Sequence, residues 1–375
     1  MRYLILILFL IVYGPSCLYA SRATAHEHRH RLKPLNLFKD KVSLFQTEAA
    51  LKENRIAYKD KIKEYGLELK AYNPWYTGPL LAPVGIVVPQ GHVNVQLSNF
   101  LIKNYGVYKS NWTPNPRTRS SILLENIILA EAGIFHLIEL DVIVSTLYKR
   151  NGDSRSYHYG DSAVALATQI TRDFYGTWSP DLRFTLREVI PTGRYQNFNP
   201  RKYRTQSSGT GSWKTSFSLD FQKQFYLLEP TTKLYVPFRI RGDLTYQIAS
   251  KVDVVGYNHY GGDVQTIGTV NPGNNLFALL GIEYSFTQSW VASIDAEYVY
   301  TSRTSFSGTT RRKMKGPSRQ ELNLVPAVEY NFSDRAGILA GVWFSVAGRN
   351  SEMFVFTGFK VLPSASYVWS TAAIT

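Results

Sequence analysis

The sequence predicts an all-β fold: a transmembrane antiparallel β-barrel of about 12 strands (roughly 10–14), preceded by a short N-terminal periplasmic helical segment. Three observations carry this. Apolar and polar residues alternate over stretches long enough to cross a bilayer as strands. Short turns and long polar loops alternate along the chain until a brief last loop near Gly348 to Ser351. Aromatic residues, 25 Tyr and 20 Phe against 3 Met, gather at the ends of the alternating stretches. A soluble sandwich also alternates, but has no physical reason to keep short and long connections on opposite edges.

The first element is a signal peptide over 1–20. Arg2 precedes an unbroken apolar run from Tyr3 to Tyr13, Gly14 and Pro15 break it, and Leu18-Tyr19-Ala20 ends on a small residue. Such a run is too short for a membrane helix, which needs about 18 apolar residues or more. Ala23-Thr24-Ala25 offers a later cleavage site, as far as 25. Cys17, the only cysteine, falls inside the signal. The mature chain is therefore expected to use no disulfide, zinc-thiolate or thiol chemistry. Lipidation of Cys17 would place Gly14 where such signals usually carry Leu.

Residues 21–72 form a periplasmic extension. Residues 26–40 are basic and unpatterned. From Thr47 to Ala71 the period becomes helical, with Leu51, Tyr58 and Tyr65 seven apart and Ile62 and Leu69 beside them. An amphipathic helix in the periplasm or against the barrel mouth is expected. A lumen plug or a coiled coil are the alternatives.

The barrel proper is expected over 73–362, with 363–375 a tail or a final strand. In His136 to Tyr148, Ile138, Leu140, Val142, Val144 and Tyr148 share one face, opposite Glu139, Asp141 and Ser145. Leu234 to Tyr246 and Trp290 to Thr301 repeat the pattern, and Glu352 to Val361 supplies a last strand. Short turns are expected at Ala132-Gly133, Tyr175 to Pro180, Glu229 to Thr232, Thr287 to Ser289 and Ser333 to Arg335. Long loops are expected at 102–120, 149–160, 191–211, 247–274 and 302–318. Tyr148, Tyr246, Tyr298 and Tyr300 fall at the long-loop rim. Phe225, Tyr226, Tyr284, Phe286, Trp290, Tyr330 and Phe332 fall at the short-turn rim, as aromatic girdles do.

Alternation assigns a set of charges to the lumen: Glu139, Asp141, Arg183, Arg187, Asp220, Arg239, Arg241, Asp243, Glu283, Asp295, Glu297, Glu321 and Glu329. A cation facing hydrocarbon at mid-depth costs roughly 2–4 kcal/mol, so these side chains are expected to point inward, where they would bind or select solutes. The bland alternative is that they pair across strands and fill the interior.

The five long loops together carry the whole net charge of +14. Within them Lys103, Lys109, Arg201, Lys202, Arg204, Arg311, Arg312, Lys313 and Lys315 are candidates for contact with lipopolysaccharide phosphates or for steering anions. No cofactor and no metal are expected. His26, His28 and His30 could ligate a transition metal but suit a flexible basic tail better. No enzyme is expected. A rim hydrolase would have to use His158, Asp161 and Ser162, which lack a strained nucleophile turn. Export argues against nucleic acid as a partner, and oligomeric state is left open.

Several stretches carry a resemblance: NPWYTGPLLAPVG from Asn73, PQGHVNVQ from Pro89, YGDSAVAL from Tyr159, LREVIPTGRY from Leu186 and SVAGRNSEMFVFTGFKV from Ser345. Over about residues 73–362 the chain resembles a family of bacterial outer-membrane transporter-like proteins of the MetA pathway of phenol degradation. The resemblance implies a barrel that handles small, hydrophobic or aromatic molecules, and brings no catalytic motif. The combined expectation is an outer-membrane channel or transporter for small solutes, in contact with outer-membrane lipid. A non-conducting structural or surface-interaction barrel is the runner-up.

Overall fold

The computed structural model describes residues 80–173, 178–228, 235–312, 314–333 and 336–363. The expected signal peptide, the helix at 47–71, the tail beyond 363 and Lys313 lie outside the described residues.

The strands in chain order are β1 (Val93–Tyr108), β2 (Pro114–Phe135), β3 (Ile138–Asn151), β4 (Ser154–Tyr159), β5 (Ser162–Thr171), β6 (Asp181–Ile190), β7 (Lys214–Leu228) and β8 (Tyr235–Ala249). They continue with β9 (Val252–Val255), β10 (Ile267–Asn271), β11 (Asn275–Ser285), β12 (Trp290–Thr301), β13 (Ser305–Thr309), β14 (Arg319–Asn331), β15 (Ala336–Arg349) and β16 (Glu352–Pro363). One turn of helix, α1 (Tyr203–Gln206), lies between β6 and β7. Because β4 and β5 pair with successive halves of β3, they act as one interrupted strand. With that pairing the sheet is a closed 12-stranded antiparallel barrel. Neighbours in sequence are neighbours in space, and β1 seals the wall against β16, with Phe100 opposite Gly358.

The wall is inside-out relative to a soluble protein. Leu101 (47% exposed), Val144, Leu219, Leu244 (53%), Leu280, Ile294, Val328 and Val342 face outward on successive strands. The residues between them on the same strands are buried and largely polar or charged. An exposed apolar band around the whole circumference is stable only against lipid. Trp290 stacks on Tyr330 at 4.7 Å, Tyr330 on Phe332 at 5.2 Å and Tyr284 on Phe286 at 5.0 Å, making an aromatic girdle at the short-turn rim. Trp213, Tyr246, Tyr157 and Tyr159 stand exposed at the other rim.

Where the connections are described, short and long ones alternate until the two-residue turn 350–351 between β15 and β16. The turn expected at Glu229 to Thr232 lies outside the described residues, and three expectations change. The first turn is at 136–137 rather than Ala132-Gly133, so β2 runs past both residues. Gly133 is small for another reason, given below. The regions 102–120 and 149–160 are mostly strand, drawn out as β-hairpins beyond the barrel rim. The loops 247–274 and 302–318 are folded too. β9, β10 and β13 form a separate three-stranded sheet over a small core of Val252, Val254, Val270 and Met314, against which Tyr195, Tyr260 and Phe306 pack.

Candidate functional site: the barrel lumen

The lumen is built first by parity. Residues on the buried face of each strand point inward, and with them come the charges that alternation assigned there. Glu139, Asp141, Arg183, Asp220, Arg239, Arg241, Asp243, Glu283, Asp295, Glu297 and Glu329 are all buried. Arg187 and Glu321 are half-buried nearer the long-loop end.

Most of these groups are committed to one another or to neighbouring polar side chains. Arg183 donates to Glu139 at 2.8 Å and to Asp220 at 2.9 Å, bridging β3, β6 and β7. Arg239 pairs with Glu283, and Arg241 lies 3.2 Å from the same carboxylate. Asn323 donates to Glu297 at 2.9 Å, and Thr245 donates to Asp243 at 2.8 Å. Buried guanidinium–carboxylate geometry of this kind offsets desolvation only when the remaining polar atoms are also satisfied.

Glu131 belongs to the same network and was not among the residues alternation picked out. Asn94 and Gln96 donate to it at 2.5 and 2.9 Å, and its carboxylate lies within 4.8 Å of those of Glu139 and Asp141. The expected turn at Ala132-Gly133 had placed Glu131 at a rim; the longer β2 places it inside. The signal available in the sequence was parity carried two residues further along β2.

A second feature is absent from the sequence reading. The segment 80–92, just before β1, runs along the inside of the barrel as a strap. Leu80 packs into an apolar inner wall formed by Phe100, Val325, Ala327, Leu339 and Phe354, with Ile102, Ile127 and Trp343 beside them. Leu81 N–H donates to the Asp295 carboxylate at 3.0 Å. Gln169 holds the middle of the strap from both sides, accepting from Val87 N–H and donating to Gly85 C=O, each at 2.9 Å. Val88 N–H donates to Glu139. Gly91 N–H then donates to Gly133 C=O at 2.8 Å, and Gly133 N–H to His92 C=O at 3.0 Å. Going from β15 and β16 past β12, β7, β5 and β3 to β2, the strap follows the wall near the short-turn end and narrows it.

Two glycines make this possible. A Cβ at Gly133 would lie 2.2 Å from Pro89 C=O, and a Cβ at Gly85 would lie 2.7 Å from the Gln222 Cβ. Both positions need the bare backbone because another chain segment passes against it.

At the long-loop end the lumen opens into a vestibule of about 340 Å³, lined by the inward ends of β7, β8, β11, β12 and β14 and by the folded loops. Lys214, Lys315 and Arg319 face it together with His259, Tyr260 and Met314. Partial loss of hydration, and then the positive charges of Lys149, Lys214 and Arg319, lower the basicity of His259, although its ring stays exposed to the vestibule. Its Nδ1 lies 2.7 Å from Ser207 Oγ.

The basic loop residues divide. Lys109, Arg201, Lys202, Arg311 and Arg312 are exposed in loops, and Lys103 is exposed on the wall face that carries Leu101. Arg204 lies on α1. Lys315 is exposed too and also lines the vestibule. The hydrolase candidates are not assembled. The Asp161 carboxylate accepts from Gly193 N–H at 3.0 Å and Thr210 N–H at 2.9 Å, clasping both ends of the loop between β6 and β7, while Ser162 Oγ meets Thr192 Oγ1 at 3.0 Å. No hydrogen bond joins either of them to His158 among the described residues.

No family model matches the chain, and no curated protein matches it. Among solved structures it is similar to an outer membrane channel from Pseudomonas putida F1, with a TM-score of 0.57 and 12% identity, covering 77% of this chain and 99% of that one. The likeness is one of fold. The translocator domain of the autotransporter NalP from Neisseria meningitidis (TM-score 0.34, 12% identity, covering 83% of this chain and 97% of that one) superposes only loosely. So does a mutant of the TodX monoaromatic hydrocarbon channel (TM-score 0.33, 8% identity, 73% and 89%).

Proposed function

We propose that this chain is a bacterial outer-membrane channel for small solutes, exported through a cleaved signal peptide. The observation that carries the reading is the closed wall with an apolar band outside and a polar lumen inside, entered at the long-loop end through an open vestibule. Hydrocarbon outside and charge inside is what a passage through a bilayer requires. The inner wall is divided. Charged side chains line most of it, and on the β1, β14, β15 and β16 side Phe100, Trp343 and Phe354 stack edge to face. An apolar stripe beside a charged one suits solutes with both characters, and supports small hydrophobic or aromatic compounds as cargo. The inward charges set selectivity, and the strap sets the aperture at the far end. The exposed loop cations meet the phosphates of lipopolysaccharide.

Full-length protein reconstituted in planar bilayers tests this. We expect discrete conductance steps that grow when Gly133→Val displaces the strap. Silence of both proteins in bilayers and in liposome swelling would sink the channel reading. That result would favour the second reading, a structural barrel, which the dense pairing at the inner end supports.

A further inference from the structure

We propose that the outer vestibule is a binding site for a small organic anion, one that carries its charge on a carboxylate and has an apolar flank. This rests on the channel reading, because it names the class of solute the vestibule would collect.

The cavity is assembled from both parts of the molecule. Lys214 and Arg319 reach it from the inward faces of β7 and β14, and Lys315 reaches it from the loop that follows β13. No Asp or Glu among the described residues lines it. Among the described residues none of these three cations has a carboxylate within ion-pair distance, in contrast to Arg183, Arg239 and Arg241 lower in the same lumen. Positive charge gathered in a concave, protein-walled space raises the local concentration of anions far more than the same charge on a flat surface.

Two further observations define the ligand. The volume of about 340 Å³ falls in the size range of small-molecule pockets. The lining also includes Tyr260, Met314, Pro272 and Pro317, so the ligand meets aromatic and apolar surface as well as charge. Two of these are fixed in place: the Tyr260 hydroxyl donates to Thr210 C=O at 2.8 Å, and Tyr260 packs against the loop-sheet core to which Met314 belongs. His259 stays neutral and offers a ring nitrogen for a hydrogen bond without changing the charge of the site. A guanidinium and an ammonium facing one cavity suit a carboxylate, which Arg can take in bidentate fashion.

The test is calorimetric titration of the full-length, detergent-solubilised barrel with benzoate, with its neutral isostere benzamide, and with inorganic phosphate. We expect saturable benzoate binding, weaker binding of phosphate, and none of benzamide. Lys214→Gln with Arg319→Gln should weaken benzoate about tenfold or more, since each charge-assisted contact is worth a large part of a decade in affinity or more. Lys315→Gln, in an exposed loop and without consequence for strand pairing, should weaken it to a lesser degree. Arg155→Gln and Lys251→Gln, exposed cations that do not line the cavity, should leave it unchanged. Benzamide binding as tightly as benzoate, or benzoate binding that survives all three vestibule substitutions, overturns the proposal. Phosphate binding as tightly as benzoate overturns its organic part. Conductance of the same preparations separates the two readings: benzoate binding without conductance removes the channel and leaves the site, and conductance without benzoate binding does the reverse.

Discussion

The two ends of the lumen hold charge in opposite ways. Toward the short turns, Glu131, Glu139, Asp141, Asp181, Asp220, Asp243, Glu283, Asp295, Glu297 and Glu329 are buried beside Arg183, Arg239 and Arg241. The acids outnumber the bases, and main-chain N–H groups supply part of the difference: Leu81 donates to Asp295 and Val88 to Glu139. Toward the loops, Lys214, Lys315 and Arg319 line open space, and among the described residues no carboxylate, Glu321 included, comes within ion-pair distance of them. Buried, paired charge is costly to break because the partner is left buried alone, whereas exposed, unpaired charge is available to a ligand. One barrel therefore carries a structural half and a receptive half on the same inward faces of the same strands.

Arg183 is where the two ends of the lumen differ most. Arg183→Met leaves Glu139 and Asp220 buried without their shared cation and should cost about 3–5 kcal/mol. The loss would be read as a lower urea midpoint for conversion of the compact barrel to the slow-migrating unfolded band on a gel. Lys214→Gln, on the same inward surface, should move that midpoint very little. Equal losses from the two substitutions would erase the distinction between the halves.

The strap gives the next largest effect. With a Cβ placed 2.2 Å from Pro89 C=O, Gly133→Val should push the strap off β2 and raise unit conductance several-fold. Asp295→Ala, which removes the acceptor for Leu81 N–H, should raise it less, because Gln169, Glu139 and the Leu80 contacts remain. Conductance in Gly133→Val identical to that of the native protein would mean that the strap does not set the aperture.

Smaller effects sharpen the outer half. Benzoate affinity should change by less than about twofold between pH 8 and pH 6. The cations Lys149, Lys214 and Arg319 around His259 add to its partial loss of hydration in lowering its basicity, so little charge is expected to enter the vestibule from it in that window. A steep rise in affinity as the pH falls would show that His259 titrates there. The smallest effect is expected from Arg201, Lys202, Arg311 and Arg312 changed to Gln together. Lipopolysaccharide co-purification should fall, while the urea midpoint moves by no more than about 0.5 kcal/mol for each exposed site.

How much of this was legible in the sequence differs by element. Trp290–Thr301 is the strand that its alternation predicts, to the residue, and Glu352–Pro363 extends the expected one by two residues. The inward charges could be placed because a lipid-facing strand has period two and a charge cannot face hydrocarbon. Gly133 misled for a physical reason: glycine marks a turn and a close backbone approach alike, and only the presence of Pro89 across from it tells them apart. The loop sheet was hidden because β9, β10 and β13 have four or five residues each, too short for periodicity to rise above a polar loop.

The barrel wall could be read from the chain alone: a strand number of about 12, most of the alternation of connections, the aromatic rims and most of the residues that face inward. These are local consequences of two solvents, lipid and water, acting on a pleated strand. Only the tertiary structure decided which inward charges pair, because Glu139, Arg183 and Asp220 are brought together by the registers of three strands and not by their spacing in the chain. It also decided the course of the strap. Leu80 to Gln90 carries no charge and no strand period of its own, so nothing local fixes its path. Carboxylates contributed by β3 and β12, a glutamine from β5 and an apolar wall on β14 to β16 do so once the barrel has closed around it.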